Sequence, residues 1–152
     1  MNMHTLAWLR KSVLLVVLLP VLTASAPKKG KGITFFEGTW AEVLAEAAAA
    51  GKPIWVDVAA AWCGPCRLME KTIFKHEAPG AFYNQNFICY HLDADTKEGK
   101  EVADKYRVSL IPAYLFMDSK GIIFHRAEGG MTEEEFLTMG RTAAAKWASR
   151  AK

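Results

Sequence analysis

Cys63 and Cys66 stand two residues apart, between the strand-like run Pro53-Ile54-Trp55-Val56-Asp57-Val58 and a helical run from Arg67 to Phe74. A Cys-x-x-Cys pair at a strand–helix junction is a pattern for redox chemistry. The first thiol sits where a helix begins. Unpaired backbone N–H groups there favour the thiolate, which is the reactive form. Cys66 lies one helical turn on, within reach of a small disulfide ring with Cys63. Pro65 falls in the first turn, where its missing N–H costs nothing. Position orders the two roles. Cys63, ahead of the helix and expected to be exposed, is the nucleophile toward a substrate disulfide. Cys66, shielded one turn in, then attacks Cys63 and releases the reduced substrate. Two other readings compete. A permanent staple closing so short a loop gains little chain entropy. A metal half-site wants about four Cys or His ligands at characteristic spacings, and neither His76 nor His91 stands in such a spacing. No metal is expected.

Asp57 is a charged residue inside an otherwise apolar strand. Burying a carboxylate costs free energy unless it is neutral or paired, so Asp57 is a candidate proton donor and acceptor. The alternative is a strand residue that reaches solvent at a sheet edge. Cys89, within Phe87-Ile88-Cys89-Tyr90, reads as a small buried hydrophobe rather than a reactive thiol. Met69, Met117 and Met131 read as packing or site rim.

The elements that must position these groups alternate between strand and helix, which gives an α/β class. Ile33 to Phe36 is a candidate edge strand. Thr39-x-x-Glu42 is a capping box that opens an alanine-rich helix to Ala50, and Gly51 ends it. Ile54 to Val58 is apolar on both faces apart from Asp57, as a central buried strand would be. Ala78-Pro79-Gly80 is expected to interrupt the helix that follows Cys63, with Ala81 to Gln85 resuming it. Phe87 to Leu92 is a second buried strand. Thr96 to Tyr106 is a surface helix with Val102, Ala103 and Tyr106 facing inward. Ala113 to Met117 and Ile122 to His125 form a hairpin across Asp118-Ser119-Lys120-Gly121. Gly129-Gly130 marks a tight approach. Thr132-x-x-Glu135 opens a final helix with Phe136, Gly140, Ala144 and Trp147 on its buried face.

A chain of 152 residues is long enough for one domain with a real core. Residues 1–26 read as a separate segment. Arg10 and Lys11 precede the apolar run Val13 to Leu22, and Thr23-Ala24-Ser25-Ala26 closes it. That is the layout of a secretory signal peptide, with an uncleaved anchor as the alternative. Residues 27–32 form a solvated, lysine-bearing linker, and 33–152 the domain. The formal charge of +3 counts Arg10, Lys11, Lys28, Lys29 and Lys31. Setting those five aside leaves 14 basic against 16 acidic residues, a net −2, so the charge does not point to nucleic acid.

The stretch Trp62-Cys63-Gly64-Pro65-Cys66 resembles the active-site motif of the thioredoxin family. Asp57, six residues before Cys63, stands where thioredoxins carry a buried acid. Ile111-Pro112, ahead of Ala113-Tyr114-Leu115-Phe116, resembles the family's cis-proline segment. The resemblance runs from Ile33 to the C-terminus. The flanks Ala-Gly-Lys-Pro-Ile-Trp-Val-Asp and Arg-Leu-Met-Glu-Lys-Thr-Ile-Phe are most similar to exported thioredoxin-like proteins, the C-terminal domain of DsbD among them.

The resemblance implies a thioredoxin-like three-layer sandwich, with a central mixed sheet flanked by helices. It implies thiol–disulfide exchange in the periplasm through a Cys63/Cys66 redox-active disulfide, with no cofactor beyond that pair. Gly64-Pro65 resembles the reducing members, so reduction of disulfides in exported proteins is the expected direction. A DsbD-type membrane thiol reductant is then the implied electron donor, and a monomer the expected state. Asp57 would deprotonate Cys66. The backbone of Ile111, beside a cis Pro112, would pair with an extended substrate segment. Trp62 would form an apolar rim, and Gly129 would leave room for substrate backbone. Two positions depart from the family. Ala59 replaces a common tryptophan and is expected to open the surface near the dithiol. His91 stands where the acid's lysine partner would be. A histidine changes charge near neutral pH, yet a strand histidine satisfied by a backbone contact is the favoured expectation. The rival functions are a disulfide oxidant or isomerase, and a non-catalytic module binding copper or thiol clients.

Overall fold

The apolar run from Ile54 becomes strand β1 (Ile54–Ala59), and every residue in it is buried. A computed structural model describes residues 32–150; the proposed signal segment and residues 27–31 of the linker lie outside the described residues. Strands β2 (Ile88–Asp93), β3 (Ala113–Met117) and β4 (Ile123–Glu128) complete a sheet of order β2-β1-β3-β4. β1 pairs in parallel with β2 and antiparallel with β3, and β3 pairs antiparallel with β4, so the sheet is mixed. Because side chains alternate across a strand, β1 feeds two cores. Ile54, Val56 and Val58 meet Val43 and Ala47 of α1 (Trp40–Ala50) and Val102 of α4 (Lys97–Lys105). Trp55 meets Met69 of α2 (Gly64–Lys71), Tyr83 of α3 (Glu77–Asn86) and Phe136 of α5 (Glu133–Arg150). The expected three-layer thioredoxin-like sandwich is thus observed. Among the described residues no helix is long and apolar enough to cross a membrane.

Both capping boxes form. The Thr39 hydroxyl accepts from Glu42 N while the Glu42 carboxylate accepts from Thr39 N, and Thr132 and Glu135 repeat the exchange. Gly51 ends α1 with φ 63°, in the left-handed region that favours glycine.

Three expectations are corrected. Ile33 to Phe36 is not a strand: only Phe35 bridges Cys89. Phe36 N carries that bridge to Cys89 O, while Ile33 N donates to Phe74 O and Thr34 N to the Asn84 side chain, off the sheet. The helix after Cys63 breaks earlier than expected, at Thr72 to His76, around a 3-10 turn over Ile73–Lys75. Pro79 then falls in the first turn of α3, where no intrahelical N–H bond is lost. Gly80 is fixed by space, since a Cβ there would lie 2.3 Å from the Gly32 carbonyl. On α5 the buried residues are Phe136, Met139, Gly140 and Ala143, whereas Ala144 and Trp147 are half-buried. The face is rotated because Phe136 is drawn into the aromatic cluster and Trp147 packs, tilted, against Phe124 of β4.

Phe136 is the hub of the larger core. Its ring stacks on Tyr83 at 4.3 Å and meets Trp55, Phe74 and Tyr114 at 5.4 to 5.9 Å, and its carbonyl accepts the Tyr83 hydroxyl. Replacing Phe136 with alanine is expected to cost about 3–5 kcal/mol. Urea unfolding of the oxidised protein checks this, and a loss under about 1 kcal/mol would mean that the cluster repacks around the gap.

Candidate active site

β1 ends at Ala59, three residues of turn follow, and Cys63 caps the N-terminus of α2. Cys63 has extended backbone angles, and its Sγ accepts the Cys66 N–H at 3.2 Å. The sulfur therefore receives a backbone donor that the helix leaves free. Pro65 occupies the first turn, as expected. Cys63 and Cys66 form a disulfide with S–S 2.02 Å and Cα atoms 5.3 Å apart. The expected exposure of Cys63 is corrected: it is 4 % exposed and Cys66 is 1 %. Ala59 and Ile111 pack around both, and Ala59 is itself buried, so it lines the dithiol instead of opening the surface. What distinguishes Cys63 is its place at the helix start.

The peptide bond Ile111–Pro112 is cis, and Ile111 packs against the cysteines. The Pro112 carbonyl accepts the Gly129 N–H at 2.8 Å. Gly129 has φ 90°, which accounts for glycine there, while Gly130 comes closer to the motif, its Cβ position 3.6 Å from Pro65 Cβ. Trp62 is 68 % exposed, and its indole N–H donates to Asp95 at 3.2 Å. Leu68 and Leu110 are further exposed apolar side chains. Met69 and Met117 are core residues and Met131 packs at the core's margin.

Asp57 is 1 % exposed, so the solvent-reaching alternative fails. His91 stands opposite it on β2, and His91 Nδ1 lies 3.0 Å from Asp57 Oδ2. The expectation of a backbone-satisfied His91 is therefore corrected. The parallel register puts both side chains on one face, where a buried carboxyl attracts the imidazole more strongly than any backbone carbonyl. Two residues were missed in the sequence. Glu70, on α2 four residues beyond Cys66, brings its carboxylate within 4.8 Å of the ligand atoms of Asp57 and His91. Its signal was the spacing of one helical turn from Cys66. Asp95, the partner of Trp62, carried no sequence signal. A cation would be offered one imidazole and two carboxylates here, but Asp57 and His91 already bond each other. Cys89 is buried, and burial pushes its thiol well above its ordinary range, so it is inert.

Burial raises the Asp57 carboxyl above its ordinary 3.8, and the His91 hydrogen bond and charge oppose that only in part. The same hydrogen bond raises His91 above its ordinary 6.5, against partial burial. The two groups share one proton, and the pair is neutral whichever holds it. The folded pair holds that proton more tightly than the histidine of the unfolded chain does, so the stability it provides is full below about 6.5 and lost as pH rises through the pair's own higher midpoint. The oxidised domain is expected to weaken as pH climbs past about 6.5. Urea unfolding across that range should show a steeper fall for the native sequence than for Asp57→Asn; equal slopes would contradict the raised pair.

A family model described as a thioredoxin-like domain matches residues 40–144. The H-type thioredoxin of Oryza sativa subsp. indica is 37% identical over 76 residues, 49% of this chain and 56% of that protein. The chain thus spans a little over half the length of that relative. The solution structure of a candidate disulphide-isomerase from Bacteroides thetaiotaomicron superposes with a TM-score of 0.67 at 32% identity, over 75% of this chain and 94% of the other. A thioredoxin from Thermus thermophilus shares the fold, with a TM-score of 0.70 at 24% identity over 80% of this chain and 94% of the other. With a bonded Cys63–Cys66 pair at the head of α2, the chain belongs to the thioredoxin-like domain family, and this domain is a thiol–disulfide oxidoreductase.

Proposed function

We propose that the protein reduces disulfides of exported proteins in the periplasm. The observation that carries the chemistry is the Cys66 N–H pointing at Cys63 Sγ, because a thiolate at Cys63 inherits that donor. Cys63 attacks one sulfur of a substrate disulfide, and the other substrate sulfur leaves as a thiolate. Cys66 then loses its proton to Asp57 and attacks Cys63. The Cys63–Cys66 bond forms, the bond between Cys63 and the substrate breaks, and the second substrate sulfur departs with its electron pair. The substrate gains two electrons and the dithiol loses two. Ile111 and Pro112, beside the disulfide, receive the substrate backbone, with Trp62 as the apolar rim and Gly129 flanking.

Location and direction rest on the sequence. Residues 1–26 have the layout of an export signal, and Gly64-Pro65 favours the reducing members. A reductase in an oxidising compartment must be fed electrons, which calls for a DsbD-type membrane thiol donor. The likeness at 32% identity to the candidate disulphide-isomerase of Bacteroides thetaiotaomicron favours isomerisation as the second reading. An isomerase would need no net supply of electrons.

The Cys66→Ser variant, incubated with a disulfide-bonded exported protein, is expected to accumulate a mixed disulfide through Cys63. Cys63→Ser should trap none, and both should lose turnover. Trapping through Cys66 alone would reverse the assigned roles.

A further inference from the structure

The two members of the Asp57–His91 pair differ sharply in access. The Asp57 side chain is 2 % exposed, whereas its partner His91 is 38 % exposed. A proton placed on Asp57 has no solvent route of its own, but the imidazole bonded to it does. We infer that His91 is a positioning residue that couples the redox state of the dithiol to proton exchange with solvent. The inference rests on the proposed reaction and deepens it at the resolving step.

The proton count closes over a cycle. Before resolution the pair is carboxylate and imidazolium. As Cys66 attacks, its thiol proton passes to Asp57. The charge that held the second proton on His91 is thereby removed, and the imidazole releases that proton to water. When the disulfide is reduced again, Cys66 leaves as a thiolate and recovers the proton from Asp57, and His91 takes one up from solvent. The buried pair is neutral at both ends, so no isolated charge is left in the core at either stage.

The surroundings fit this role. Asp57 on β1, Glu70 on α2 and Asp93 on β2 itself all act on His91 to favour its protonated form. From β3, Tyr114 pairs in register with Asp57, and its buried hydroxyl has no hydrogen-bond partner among the described residues. It therefore does not compete with His91 for the carboxyl. Phe35 packs edge-on against the imidazole at 5.9 Å and limits its tilt. A lysine could hold the carboxylate, but it would not release a proton near neutral pH.

Two measurements on the domain with its dithiol intact test this. The first is the NMR titration of the His91 imidazole in the oxidised and the reduced protein. Its midpoint is expected to lie higher in the reduced protein, and identical midpoints would overturn the proposal. This comparison needs no substrate, so it decides the proposal even if exchange with exported proteins fails. The second is the single-turnover rate of Cys66 attack on a preformed mixed disulfide, followed against pH. In His91→Gln burial acts on Asp57 unopposed, so the acid limb should move to higher pH, with a slowing of about tenfold or more near pH 6. His91→Lys, which holds the carboxylate but does not release its proton near neutral pH, should restore the position of the limb while leaving the rate below native, and a full return to the native rate would overturn the proposal. A slowing of equal size at every pH would mean that His91 only supports the strand, and would overturn the proposal.

Discussion

A carboxyl group in the middle of a fully buried strand is the costliest feature of this molecule, and the site is arranged around it. Asp57 lies where β1 is covered by β2, β3 and the helices of one face. A carboxylate there is tolerable only if a partner neutralises it. His91 is that partner, brought opposite by the parallel register of β1 and β2. The pairing keeps a buried acid on the strand that leads to the dithiol, able to hold or yield a proton at little cost. It also links the interior to solvent through one imidazole.

The rest of the fold brings reactive parts to the carboxyl end of β1. The turn after Ala59 delivers Cys63 to the start of α2, where the Cys66 N–H meets its sulfur. The cis Ile111–Pro112 segment enters β3 beside the same strand and packs Ile111 on the cysteines. The aromatic cluster around Phe136 fastens α5 and α3 beneath the sheet and so fixes the platform on which α2 rests. Dithiol, acid and proline loop come from separate stretches of chain, yet all border β1.

Much of this was legible because its signals are local. The Trp62-to-Cys66 motif, the two capping boxes and Gly51 each specify their geometry within a few residues. The apolar stretch of β1 marked Asp57 as anomalous, and burial followed. What was not legible depends on contacts between distant segments. Ile33 to Phe36 has strand-like composition, but only Phe36 N donates to β2, while the Ile33 and Thr34 donors are claimed by Phe74 and Asn84. Pro79 and Gly80 look like breakers, but helix α3 starts just before them and absorbs the proline in its first turn. The His91 contact requires the register of two strands separated by two helices, and the Trp62–Asp95 bond spans 33 residues. The low exposure of Cys63 could not be read locally either, because Ile111 arrives from far along the chain.

The function of the domain turns on the direction in which the dithiol runs. The measurement that decides it is the reduction potential of the Cys63/Cys66 pair in protein lacking residues 1–26, equilibrated against glutathione. The reading as a reductase predicts a value near the thioredoxin figure of about −270 mV. A value nearer about −120 mV would make the protein a disulfide donor and contradict the proposed function.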